Sequence, residues 1–106
     1  MIVVVGRVST DPEKRARLIE VAHRVASASR AEGGCVDYRV FEDTERPNQF
    51  VFVEEWEDEE ALQQHFRTSH IAAFMQAILD TIVGPPDVRF HQIESTRDLS
   101  QVGATG

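Results

Sequence analysis

The sequence holds a single cysteine, Cys35, among 106 residues, so no disulfide can form within the chain. That excludes the bridged scaffold on which small secreted domains depend, and a reducing, cytoplasmic setting is expected. Long hydrophobic runs are also missing. The four apolar residues Ile2–Val5 are too few for a signal core or a membrane span, and no basic flank precedes them. Basic charge is in deficit as well. Eleven Lys and Arg stand against 18 Asp and Glu, a net charge of −7, which disfavours nucleic acid and anionic membranes as partners. Phosphate-cradling glycine loops and Ser-His-Asp arrangements are absent. Cys35 has no basic or imidazole neighbour in sequence that would activate it as a nucleophile. What remains is a small acidic chain, 42% hydrophobic, with room for one modest core.

Residues 2–9, IVVVGRVS, are mostly β-branched and end at a Ser-Thr-Asp-Pro cluster, which predicts a strand. Thr10 or Asp11 can cap a helix running to about Ala31, with apolar Leu18, Val21, Ala22, Val25 and Ala28 on one stripe. Gly33-Gly34 is expected to end it in a left-handed cap. Two strands follow, at about 35–42 and 49–57, joined by the polar turn 43–48. A short helix from Glu59 to about Arg67, another from about Thr68 to Val83, and a last strand, 88–94, complete the domain at residue 95. Residues 96–106 are expected to form a flexible tail. This order predicts an α+β, ferredoxin-like split βαβ fold, a four-stranded antiparallel sheet with helices on one face.

Ile2–Val5 and Phe50–Val53 carry apolar groups at consecutive positions, so both faces of the sheet need cover. Helices supply only one. A homodimer packed sheet to sheet is the simplest way to bury the other.

Period two places Phe50, Phe52, Glu54 and Trp56 on one face of their strand. Trp56 fits either a packed core or a pocket wall. His65 flanks the apolar stripe of its helix, and His70 starts the next one. In continuous helix, five residues turn two rings about 140° apart, against a shared metal, unless the chain breaks near Thr68-Ser69. An inward imidazole suits proton transfer, or is simply a hydrogen-bonded histidine at a helix junction. Six carboxylates crowd into residues 54–60 around Trp56. Asp58, Glu59 and Glu60 fit a helix N-terminus, where negative charge is favoured.

Taken together, Glu32-Gly33-Gly34-Cys35, Tyr38, the run Glu54-Glu55-Trp56-Glu57-Asp58-Glu59-Glu60-Ala61-Leu62 and His65-Phe66-Arg67-Thr68-Ser69-His70 resemble the antibiotic biosynthesis monooxygenase family, in its quinol monooxygenase branch. The resemblance implies a dimeric α+β barrel. It also implies oxidation of a small electron-rich aromatic, a hydroquinone, phenol or anthrone, by O₂ without flavin, haem or metal. On that basis His65, Trp56 and His70 are the candidate catalytic residues, with Tyr38, Phe52, Phe66 and Phe74 against the substrate. Phe52 and Leu62 stand where the polyketide-oxidising members carry asparagine and tyrosine, which disfavours an anthrone. Asn48, the only asparagine, lies in the hairpin turn rather than on the first strand, which disfavours haem degradation. A non-catalytic barrel that binds a small aromatic, and a haem-binding protein, are the alternative readings.

Overall fold

The computed structural model describes residues 1–103. Strand β1 (Ile2–Ser9) is followed by a single 3₁₀ turn (Pro12–Lys14) and helix α1 (Arg15–Arg30). Then come β2 (Cys35–Glu42), β3 (Gln49–Trp56), α2 (Glu59–Phe66), α3 (Ser69–Ile78), β4 (Asp87–Gln92) and a short α4 (Leu99–Gly103). The strands form one antiparallel sheet in the order β2-β3-β1-β4. The ferredoxin-like α+β fold therefore follows the order of elements read from the sequence. Helix α4 falls inside the expected tail, but none of its residues is buried; residues 104–106 of that tail lie outside the described residues.

Register decides what faces the helices. Ile2 pairs with Trp56, Val4 with Glu54 and Phe90, Gly6 with Phe52 and Val88, and Tyr38 with Glu54. Paired residues share a face, so one side of the sheet collects Ile2, Val4, Val8, Tyr38, Phe50, Phe52 and Trp56. Against it α1 buries Leu18, Val21, Ala22, Val25 and Ala26 from its apolar stripe. Leu18, Val21 and Val25 each contribute about 1.5–3 kcal/mol through removal from water, and the two alanines less. The opposite face presents Val3, Val5, Val51 and Val53, only half-buried, beside an exposed Phe41.

Helix α1 does not end in a left-handed glycine. Among the described residues, positive φ occurs at Asn48 and Gly84, not at Gly33 or Gly34. Instead the last turn tightens: Ala31 N–H donates to Ala28 and Ser29 carbonyls, and Glu32 N–H donates to the Ser29 carbonyl at 3.0 Å. Gly34 serves close packing. A Cβ there would collide with the Ala61 side chain on α2 and lie 3.3 Å from its Cα, while the Gly34 carbonyl already accepts from Glu57 N–H at 2.9 Å. The glycine lets the chain after α1 pass directly against α2. Gly34→Ala is accordingly expected to force these segments apart and cost about 1–3 kcal/mol, lowering the thermal midpoint followed by circular dichroism. An unchanged midpoint would show that the approach is slack.

Candidate active site

Between the sheet and helix α3 lies a cavity of about 460 Å³. Val4, Gly6 and Val8 of β1 and Phe52 of β3 form its floor, and Ile71, Phe74 and Ile78 of α3 its roof. Its mouth is apolar and open to solvent at Phe66, Met75, Leu79 and Phe90. Polar side chains reach the lining at one end only: Tyr38, Glu54 and His65. Phe50 stays out of the lining, in the core beneath the Arg15 guanidinium.

His65 owes its position to two caps. Asp58 caps α2 by accepting from Ala61 N–H at 2.8 Å, and Glu59 and Glu60 occupy the first turn, where the positive helix end favours them. Thr68 caps α3, accepting from Ile71 N–H while donating its hydroxyl to the His65 carbonyl at 2.7 Å. The helix thus breaks at Arg67–Thr68. The break brings the His65 and His70 rings to 5.9 Å, centroid to centroid, which a continuous helix would not allow.

The His65 side chain is 1% exposed and packs on Trp56 with ring centroids 4.4 Å apart. Its Nδ1 lies 2.8 Å from Glu32 Oε2, and His70 Nε2 lies 2.7 Å from the same oxygen. Its other nitrogen, Nε2, faces Glu54 Oε1 at 3.9 Å. Trp56 donates its indole N–H to Glu54 at 3.0 Å. The tryptophan therefore stands behind the cavity wall rather than in it, touching the site through His65 and Glu54. Of the other residues singled out in the sequence, Tyr38, Phe52, Phe66 and Phe74 line the cavity, whereas His70 lies on the far side of Glu32, bordering a shallow groove between α1 and α3.

Two members of the site are not among the candidate residues of the sequence. Glu54 is one of the six carboxylates around Trp56, yet its side chain is only 12% exposed. Burial pushes its carboxyl up to about 7, against partial relief from hydrogen bonds with Trp56 and Tyr38. Its place beside Trp56 on the inward face was legible from period two. Glu32 carried no comparable signal, because it lies in the irregular chain between α1 and β2. Burial lowers the pKa of His65, with Glu32 opposing the shift. The Cys35 thiol is pushed up to about 11, by burial first and then by the charges of Glu32, Glu54 and Asp37, so it is a protonated, weak nucleophile.

Glu32, His65 and His70 place three potential metal-ligating atoms within 4.8 Å of one another. The contacts of 2.7 and 2.8 Å, however, have the length of N–H···O hydrogen bonds. Ligands around a tetrahedral zinc, each about 2.0–2.1 Å from the ion, lie about 3.3 Å apart. The cluster is spaced for protons.

The sequence model of the family described as antibiotic biosynthesis monooxygenase matches residues 1–77. "Uncharacterized protein sll1783" of Synechocystis sp. is 32% identical over 98 residues, 92% of this chain and 67% of that protein. "Putative monooxygenase YcnE" of Bacillus subtilis (strain 168) is 35% identical over 88 residues, 83% of this chain and 93% of that protein. Among solved structures, Rv0793 from Mycobacterium tuberculosis superposes with a TM-score of 0.85 at 21% identity, over 92% of this chain and 98% of that one, a likeness of fold. The matched segment contains β1 through most of α3, and with them Glu32, Tyr38, Glu54, Trp56, His65 and His70; this chain belongs to the antibiotic biosynthesis monooxygenase family.

Proposed function

We propose that the protein is a monooxygenase-type oxidoreductase that oxidises a small, apolar, hydroxyl-bearing aromatic with O₂ in the 460 Å³ cavity. The observation that carries this reading is the placing of every polar lining side chain, Tyr38, Glu54 and His65, at one end of an otherwise apolar chamber. An aromatic ring system fits the apolar part, and its hydroxyl reaches the polar end. There the Glu54–His65 pair takes the hydroxyl proton, since a carboxyl near 7 and a neutral imidazole are both bases of suitable strength at neutral pH.

The anion so formed is itself an electron donor to O₂, and the chain's residues need supply only binding, proton removal and exclusion of water. For a hydroquinone, one oxygen atom of O₂ becomes a new ring hydroxyl, the other leaves as water with two of the substrate's hydrogens, and the ring is left as a hydroxyquinone. The oxidant is O₂ and the reductant is the substrate. Trp56 holds Glu54 and the His65 ring in place, and Phe52, Phe66 and Phe74 pack against the substrate. The half-buried valines on the other sheet face support a homodimer joined sheet to sheet.

Three measurements test these statements. Purified protein is expected to accelerate O₂ uptake with a reduced naphthoquinone or an anthrone above autoxidation, with a rate that rises as pH increases through about 7 and Glu54 ionises. Uptake at the autoxidation rate across a broad panel would count against the activity.

Glu54→Gln should lower that rate about 10²-fold or more, yet stabilise the fold at high pH. The Glu54 carboxyl is raised from 4.5 to about 7 in the fold, so its unfavourable ionisation weakens the native state as pH climbs between those values. Urea denaturation should therefore find Glu54→Gln more stable than the parent by roughly 2–3 kcal/mol at pH 8 and nearly equal to it at pH 4. A difference that does not change with pH would refute the buried ionisation.

Finally, Val53→Glu at the centre of the bare sheet face is expected to halve the molar mass measured by light scattering while leaving the helical content intact. A parent that already runs as a monomer would remove the dimer.

A further inference from the structure

We propose that Glu32 is a positioning residue for His65, and His70 one for Glu32, so that the three form an orienting array behind the cavity wall. The array deepens the reading above, because the role of His65 as half of the acid–base pair rests on it.

Glu32 Oε2 belongs to a carboxylate, which only accepts, and two ring nitrogens stand at hydrogen-bond distance from it. Both must carry hydrogens. Nδ1–H of His65 is thereby fixed, and in the neutral ring Nε2 is left bare. That bare nitrogen points toward Glu54 Oε1, at the polar end of the cavity. Without Glu32 the choice reverses: Nε2–H would bond to the Glu54 carboxylate, and the lone pair would face away from the substrate. The carboxylate also stabilises the imidazolium that forms when Nε2 accepts a proton, offsetting the burial that disfavours it.

Each partner is held by a different element. Glu32 follows the tightened end of α1, His65 lies near the end of α2 and His70 opens α3. Among the described residues, neither Glu32 nor Glu54 makes an ion pair with arginine or lysine. His70, whose side chain is 27% exposed, adds a second N–H to the same oxygen and stops the carboxylate from rotating away from His65.

The test is imidazole ¹⁵N–¹H NMR on the full chain, with O₂ uptake as a second readout. In the parent, neutral His65 should carry its hydrogen on Nδ1. Glu32→Ala should move that hydrogen to Nε2 and lower kcat about 10²-fold with KM changed less than about two-fold. Should Glu32→Ala fail to fold, Glu32→Gln keeps the shape and one acceptor oxygen. It should preserve the tautomer but make His65 titrate at lower pH than in the parent, and His70→Ala should give a mixture of tautomers. An Nδ1 hydrogen that persists in Glu32→Ala, a tautomer that flips with kcat unchanged, or a stoichiometric metal ion bound by Glu32, His65 and His70 would each overturn the proposal. With Glu32→Gln as the surviving variant, a His65 titration unchanged from the parent does the same. If the parent shows no oxidase activity but the tautomer flips as expected, the positioning role stands and the oxidation reading falls, so the two failures are distinguishable.

Discussion

One carboxylate oxygen, Glu32 Oε2, ties together the end of α1, the end of α2 and the start of α3 through two short contacts to imidazole nitrogens. Most of the local design serves to place that oxygen. The tightened last turn of α1 delivers Glu32, and Gly34 allows the following chain to lie against Ala61. Asp58 and Thr68 cap the two helices so that their junction turns the His65 and His70 rings toward each other. A carboxylate buried this way would be costly alone. Two N–H donors on one oxygen compensate for the lost water.

The second carboxyl group, Glu54, has neutral hydrogen-bond partners in Trp56 and Tyr38, and the nearest imidazole nitrogen is 3.9 Å away. Burial pushes its carboxyl up to about 7, and those two hydrogen bonds offset the shift only in part. One carboxyl group held by two imidazoles and one held by neutral donors in a buried setting, with an imidazole between them, is how a small site separates a fixed structural charge from a group free to exchange a proton. The fold gives up some stability at neutral pH to keep Glu54 in that condition.

How much of this could be read from the sequence follows from range. Strand and helix periodicity, the hairpin turn and the Asp58 and Thr68 caps are local, and they predicted the order of elements and the fold. The cavity face was legible too, because period two sets Phe52, Glu54 and Trp56 side by side. What the sequence does not show depends on contacts between residues far apart in the chain. Glu32 lies 33 residues before His65 and 38 before His70, in an irregular segment without periodicity. A Gly-Gly after a helix predicts a left-handed cap, while the role of Gly34 follows from a residue on another helix. Within the acidic run, period two separates Glu54 from Glu55, and the pairing of Val4 and Tyr38 with Glu54 then sets it against the core face.

A chain of 106 residues has room for one modest core. Here the core proper lies under α1, where Leu18, Val25 and Trp56 are sealed from solvent. The chamber lies under α3, toward the edge strand β4, and its apolar rim at Leu79, Val88 and Phe90 remains exposed. Exposed apolar surface of that kind is unfavourable until something covers it. An apolar ligand entering from this rim would bury it and complete the packing that the chain leaves unfinished. The polar end meanwhile sits at the boundary between core and chamber, where the sealed Trp56 and His65 rings pack against each other at a tilt of 39°. On the proposed reading, the apolar body of a substrate would cover the exposed rim while its hydroxyl met the polar end at Glu54 and His65.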